Sequence, residues 1–276
     1  MNTFQAAIYG IIHGFVEFLP VSAEAHDAFL ATILSWPIPE GIFAGSLSLG
    51  AFLTLLVYFR HDWASIFSSL LQLIFLRKKP QALDEHMPFF ILITTLPTVA
   101  VYFILKEYQA FLQPSTELVI LSLVVFSFPL WLAHYFSRQN KKIYDWSIKD
   151  CFVLGLFQLL LFVPGAGRHA AVFTGALFLN YRKDEAAKFI FFTYAPITFL
   201  ETYLLLKPID WQSESAAHGL SWMSFSVATA TTFFFGLIVL NAFLKGIQKK
   251  NFNGIVYYRV LIAIGLGVTY WLKTTA

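Results

Sequence analysis

Six stretches of this chain stay apolar for about the 20 residues a helix needs to cross a bilayer: 41–59, 86–105, 117–135, 184–205, 219–244 and 254–272. No other feature limits the fold as much. In hydrocarbon every backbone N–H and C=O must find its partner inside the protein, so a spanning segment is either a helix or a strand of a closed barrel. The runs here are continuous rather than alternating, which argues against a barrel. Charged residues make up 13% of the chain, about half the share of a soluble domain. The expectation is an all-α polytopic membrane protein with about six full spans. Residues 63–76 are shorter and read as an interfacial or tilted helix.

Two further apolar segments are interrupted: 3–36 by Pro20, and 147–180 by Pro164-Gly165. Irregular backbone at membrane depth is tolerated only inside protein or beside a water-filled cavity. Both segments therefore read as re-entrant helix pairs. The Lys/Arg distribution orients them. If the first pair dips in from outside and 41–59 crosses inward, the inside loops are 60–85, 136–150, 181–188 and 245–253. They hold Arg60, Arg77, Lys78, Lys79, Arg138, Lys141, Lys142, Lys149, Arg182, Lys183, Lys188, Lys245, Lys249 and Lys250. The outside parts hold only Lys106, Lys207 and Lys273. Cytoplasmic loops carry the Lys/Arg excess, which supports this orientation. Arg168 and Arg259 are left over, and Arg259 is expected to snorkel from the inner end of the last span.

In that orientation the second broken pair enters from the opposite side. Each pair is followed by three spans, the pattern of an inverted-topology repeat with a site between the halves near the midplane. The repeats are 1–140 and 141–276, joined through the polar stretch 136–150, and together they form one membrane domain. Phe18-Leu19-Pro20 and Phe162-Val163-Pro164 sit at matching places.

The breaks also concentrate the ionisable residues. Residues 10–27 carry His13, Glu17, Glu24, His26 and Asp27 in an otherwise apolar stretch. Ionisable groups are costly in a membrane and mark a functional site by default; the plainer alternative is an exposed helix end. His13 and Glu17 are four apart and share a helix face. Glu17 and His26 suit acid/base or nucleophilic work, with the Ser22 hydroxyl close by. In the second break, Gln158 precedes Pro164, Gly165, Gly167, Arg168 and His169. Glycines let backbone N–H groups approach a ligand, a helix start adds a positive dipole end, and the Arg168 fork suits phosphate. Together these read as an anion site; the alternative is Arg168 paired with a buried carboxylate such as Glu17. A hard divalent cation bridging Glu17 and a substrate phosphate is a further expectation. A transition-metal site on His13, Glu17 and His26 is the lesser option.

The remaining features read plainly. Single Cys151 rules out an internal disulfide and reads as a small buried hydrophobe. Met1-Asn2-Thr3-Phe4 lacks a basic leader, so no cleaved signal is expected. Phe189, Phe191 and Phe192, and Phe233 through Phe235, read as packing or lipid-facing surface. Pro97 and Pro196 read as kinks within spans. Trp36, Trp63, Trp146, Trp211, Trp222 and Trp271 lie near span ends, as interfacial anchors do. No nucleic-acid motif is present.

These residues carry a resemblance. His13-Gly-Phe-Val-Glu17-Phe-Leu-Pro20-Val-Ser22-Ala23-Glu24-Ala25-His26 resembles the first motif of the undecaprenyl-pyrophosphate phosphatase, or bacitracin-resistance, family: Glu-x-x-x-Glu, then Phe-Leu-Pro-Val-Ser-Ser-x-Gly-His. Gln158 and Pro164-Gly165-Ala166-Gly167-Arg168-His169-Ala170-Ala171-Val172 resemble its second, Pro-Gly-x-Ser-Arg-Ser-x-x-Thr after a Gln. Ser46 through Arg60, the Pro196 helix and Phe252 through Arg259 extend the likeness over most of the chain. Against those motifs, His13 replaces Glu, Ala23 and Gly167 replace Ser, His169 replaces Ser, and Val172 replaces Thr.

The resemblance implies a multi-pass protein of the bacterial inner membrane. It would hydrolyse a polyprenyl diphosphate to the monophosphate for carrier recycling in cell-wall synthesis, with Mg2+ or Ca2+. It implies catalytic roles for His26, Glu17, Arg168, Ser22 and His13, with Glu17 also on the metal. It implies substrate binding by Pro164, Gly165, Gly167, Arg168, His169 and Gln158. The expected partners are the polyprenyl diphosphate lipid and the membrane, with a homodimer left open and no nucleic acid. The lost hydroxyls keep one alternative in view, a non-hydrolytic transporter or binder of a lipid phosphate; a metal-dependent enzyme on another phospholipid-like substrate is a third.

Overall fold

The computed structural model describes residues 1–76, 83–105, 115–207, 221–248 and 252–275. Arg77, Lys78, Lys79, Lys106, Lys249, Lys250 and Trp211 lie outside the described residues. The described chain holds eleven α-helices and no strand. They are α1 (Thr3–Glu17), α2 (Ala23–Leu34), α3 (Gly41–Tyr58), α4 (Arg60–Leu76), α5 (Leu83–Leu105), α6 (Thr116–Phe136), α7 (Ile148–Gln158), α8 (Arg168–Phe178), α9 (Lys183–Leu206), α10 (Trp222–Gly246) and α11 (Phe252–Thr275). Helices α3, α5, α6, α9, α10 and α11 are long and apolar enough to span a membrane, matching the six expected stretches within a few residues. Pro97 and Pro196 lie inside α5 and α9.

Both broken segments are helical hairpins that return to the end where they began. Thr3 at the start of α1 bonds Ser224 at the start of α10, and Ser35 just past α2 accepts from Lys273 near the end of α11. Helices α10 and α11 are joined at their far ends, so Ser224 and Lys273 lie at one end of the molecule. The opposite end gathers the basic loops. There Lys188 pairs with Asp62 at 2.6 Å, Lys141 exchanges backbone bonds with Asn180 and Arg182, and Gln248 donates to Asp184. The second hairpin starts and finishes at that end, where Tyr181 donates to Asp150 at 2.7 Å. The described loops that share the Lys/Arg excess thus lie together.

The packing maps onto itself when the two hairpins are exchanged. Helix α1 packs on α10 as α7 packs on α5; α3 packs on α10 as α9 on α5; α2 packs on α11 as α8 on α6; α3 meets α9, and α6 meets α11. Helix α4 lies outside this exchange. Small residues permit the closest approaches, as expected where lipid gives no hydrophobic push between helices. A Cβ on Gly14 would lie 2.7 Å from the Thr232 carbonyl on α10, and one on Gly155 would lie 2.7 Å from the Thr94 carbonyl on α5.

Two expectations are corrected. Trp146 is not an exposed anchor: it is buried, stacked 3.7 Å from the Tyr181 ring and 4.2 Å from Phe189. Trp222 and Trp271 are exposed at the other end. Arg259 does not snorkel. It is fully buried, because its donors are consumed within the protein. Phe189, Phe191 and Phe192 are core rather than lipid surface, and Cys151 is buried.

Candidate functional site

The two hairpin turns meet inside the molecule. Residue Ser22 starts α2 and Gly167 starts α8, with near-identical backbones: φ 73, ψ 100 and φ 80, ψ 106. They touch, since a Cβ on Gly167 would lie 3.4 Å from Ser22 Cβ. Neither helix start is capped by a side chain. An uncapped helix start leaves backbone N–H groups without intrahelical acceptors and carries a positive dipole end. Two of them converge here on a cavity of about 10 Å³, room for one water, lined by Glu17, Leu19, Ser22, Ala23, Glu24, Gly167, Arg168 and His169. Gly165 also has a left-handed backbone (φ +85), and a Cβ there would lie 2.5 Å from the Val119 carbonyl, so only glycine fits this turn.

Arg259 holds the turns together. Its Nη1 donates to Pro20 O (3.3 Å), its Nη2 to Gly165 O (3.3 Å) and Ala166 O (2.8 Å), and its Nε to Ser127 Oγ (2.9 Å). Broken backbone at membrane depth frees carbonyls that lipid cannot satisfy. One planar guanidinium with five donors satisfies three of them, across both hairpins.

Around the cavity the charges interlock. Arg168 donates to Glu201 at 2.6 and 3.3 Å and to the Tyr194 hydroxyl at 2.9 Å, and lies 3.6 Å from Glu24. Tyr194 in turn donates to Glu17. The carboxylate partner expected for Arg168 is therefore Glu201 and Glu24, with Glu17 reached through Tyr194. Glu24 also accepts the Gly165 N–H at 3.2 Å. Two buried polar atoms at the cavity wall, Ser22 Oγ and His169 Nε2, have no hydrogen-bond partner. Buried polar atoms are rarely left so in a native interior, which makes these two available as hydrogen-bond partners at the cavity wall.

The other expected residues lie one layer back. His13 sits behind Glu17, 3.4 Å from its carboxylate, with its Nδ1 3.0 Å from Asp27. His26 does not line the cavity. Its Nδ1 bonds Ser22 O and its Nε2 bonds the Tyr258 hydroxyl, each at 2.8 Å, and its ring stacks on Tyr258. Gln158 is not brought to the cavity either; it is buried and accepts from Thr98 at 3.3 Å. Pro164 lines a second cavity of about 330 Å³ with Glu24, Asp27, Ile38, Pro39 and Thr116, toward the end where α2 finishes. Among the described residues no three His, Cys, Asp or Glu side chains converge as a metal cage.

The family model described as Bacitracin resistance protein BacA matches residues 6–265. The chain belongs to this family. Its BacA-family relatives include the Undecaprenyl-diphosphatase of Thermobifida fusca (strain YX), 28% identical over 96% of this chain and 89% of the relative. Another is the Undecaprenyl-diphosphatase of Chlorobaculum tepidum, 30% identical over 96% of each.

For this BacA-family chain, sequence reasoning missed Tyr194, Glu201, Tyr258 and the role of Arg259. The signal for Glu201 was present. It is an acid within the apolar 184–205 stretch, and an acid in a membrane span is itself a site marker. The tyrosines gave no such signal, because tyrosine is common in membrane helices.

Proposed function

We infer that this chain is a multi-pass undecaprenyl-diphosphatase, a hydrolase that converts a polyprenyl diphosphate to the monophosphate in the bacterial cytoplasmic membrane. One observation carries the reading: two uncapped helix starts and Arg168 converge on one cavity whose wall holds Glu17 and the unpartnered Ser22 Oγ. Backbone N–H groups, dipole ends and a guanidinium are the donors that phosphoryl transfer requires, because that chemistry is mostly positioning and charge stabilisation. The relatives, named for the diphosphatase activity, support hydrolysis over the transporter reading.

In this mechanism the terminal phosphate lies against the starts of α2 and α8. Arg168 exchanges part of its carboxylate pairing for phosphate oxygens, and Ser22 Oγ and His169 Nε2 gain their missing partners. Water attacks the terminal phosphorus. A bond forms from the water oxygen, and the bond to the bridging oxygen breaks, leaving its electron pair on the polyprenyl monophosphate. Glu17 takes the water proton. Tyr194 holds Glu17 in place, and His13, between Glu17 and Asp27, is the adjoining acid/base group. His26 fixes the Ser22 carbonyl and hence the turn. The lipid tail runs between spans. Glu17, the carboxylate at the cavity wall, would hold a divalent cation such as Mg2+ or Ca2+, which would neutralise phosphate charge. The repeats 1–140 and 141–276 each contribute one turn of the site.

The test is phosphate release from undecaprenyl diphosphate by the purified protein, with Arg168→Ala and His26→Ala as controls. Release well above the Arg168→Ala background is expected. No release above that background, with binding retained, would overturn the reading in favour of a lipid-phosphate binder.

A further inference from the structure

The reaction cavity is too small for a diphosphate, and one side chain lines both it and a larger cavity beside it. Glu24 lines both the 10 Å³ cavity and the 330 Å³ cavity beside it. Its carboxylate reaches from the second position of α2 across to the other hairpin. There one oxygen accepts the Gly165 N–H (3.2 Å) and the other lies 3.6 Å from Arg168 Nη2. A backbone N–H in a glycine turn and an arginine fork are what an incoming phosphate would use. A two-oxygen anion of this chain already occupies them.

Position and exposure fit a movable group. The Glu24 side chain is 39% exposed, whereas that of Glu17 is 3% exposed and tied to Tyr194. The larger cavity, lined by Ala28, Ile38, Val119 and Leu161 as well as polar groups, gives Glu24 somewhere to turn. Three carboxylates, Glu17, Glu24 and Glu201, surround Arg168, and Glu201 alone makes the two-pronged pair with it. Arg168 therefore keeps a carboxylate partner when Glu24 leaves.

We propose that Glu24 is an internal surrogate for the substrate's phosphate. It closes the site from the larger cavity while the site is empty, and the phosphate of a polyprenyl diphosphate must displace it to bind. Glu24 thereby sets the apparent affinity for phosphate-bearing ligands. This rests on the reading of the site as a diphosphatase site, and it adds a residue that opposes binding rather than assisting it. Displacement moves a side chain and breaks no covalent bond.

Glu24→Gln keeps the size and the acceptor for Gly165 N–H but removes the charge that competes at Arg168. KM for undecaprenyl diphosphate and the inhibition constant of inorganic phosphate should both fall, by about five- to tenfold for loss of one close charge competitor. The effect should fall on these constants more than on kcat. Glu24→Ala should act in the same direction, which guards against a packing artefact of either variant. Binding of inorganic phosphate, followed by calorimetry on wild type and Glu24→Gln, gives a readout without turnover. A KM and a phosphate constant that stay level or rise in both variants would overturn the proposal, because Glu24 would then hold substrate or its counter-ion. If wild type releases no phosphate from the lipid yet Glu24→Gln binds inorganic phosphate more tightly, the diphosphatase reading fails and the surrogate stands.

Discussion

The two hairpin turns share a backbone and divide the chemistry. Ser22 and Gly167 adopt the same left-handed conformation at the start of a helix. In the first turn a serine takes a φ that residues with a Cβ resist, and strain of that kind gathers at functional sites. In the second turn glycines take it without that steric penalty. Both bring an uncapped helix start. Beside it the first hairpin adds acids and a hydroxyl: Glu17, Glu24, Asp27 and Ser22. The second adds the Gly165 N–H and Arg168. The pair of turns thus supplies the acidic half and the cationic, donor-rich half of one site, which neither could form alone. The difference lies in side chains, since the backbone is nearly repeated.

The sharpest way to break this division is to remove the donor half. Arg168→Ala should lower phosphate release by about a hundred- to a thousandfold, the range for losing one preorganised charge donor. Arg168→Lys should recover little, since a point charge cannot fork to Glu201 and a phosphate together. Equal loss in Glu201→Gln would mean that Arg168 acts mainly through its pair, and the division would need redrawing.

Arg259 tests whether the halves must be held in register. Arg259→Gln leaves the Pro20, Gly165 and Ala166 carbonyls short of donors at membrane depth, costing about 1–3 kcal/mol for each acceptor left unsatisfied. Melting in detergent should drop sharply, and hydrolysis should fall at temperatures where the variant is still folded. Ser127→Ala removes a bond that joins neither turn and should cost about 1.5–3 kcal/mol, with hydrolysis retained.

Arg259 also marks where the sequence stops being legible. The six spans could be read because hydrocarbon leaves few options and apolar length alone identifies them. The hairpins could be read because Pro20 and Pro164 break runs that otherwise would cross. The loops at one end could be grouped because lysine and arginine mark them. Arg168 announced itself beside glycines. Arg259 did not: an arginine about two turns into a span looks like a snorkelling residue, and only the meeting of three carbonyls at its tip reveals otherwise. Glu24 likewise was only one of several ionisable groups in residues 10–27. Its contacts come from residues about 140 positions away in sequence, and no local pattern encodes them.

The shared backbone gives opposite outcomes for matched substitutions. Gly167→Ala forces a Cβ into a left-handed φ of 80 and within 2.8 Å of Arg259 Nη1. It should cost about 1–2 kcal/mol from the backbone alone. Ser22→Gly relaxes the equivalent strain while freeing the unfolded chain, so melting should shift by less than about 1 kcal/mol. Hydrolysis should nonetheless fall in Ser22→Gly, because the unpartnered Oγ at the cavity is lost. If both variants melt alike, the two turns do not carry the different strain their residues imply.

The smallest effect concerns the residues that end the first helix of each hairpin. Glu17 ends α1 and faces the cavity; Gln158 ends α7 and is turned to Thr98 on α5. The second hairpin adds a 3₁₀ turn, Leu159–Phe162, between that helix and its break, and the first has no counterpart. The extra turn separates Gln158 from the site by its own length. Gln158→Leu should therefore change KM by about threefold or less, and cost on the order of 1 kcal/mol through the unpaired Thr98 hydroxyl. Glu17→Gln, the matched change, should reduce turnover far more. A KM shift in Gln158→Leu as large as that in Glu24→Gln would place Gln158 on the substrate, and the asymmetry of the two hairpins would then be smaller than their geometry indicates.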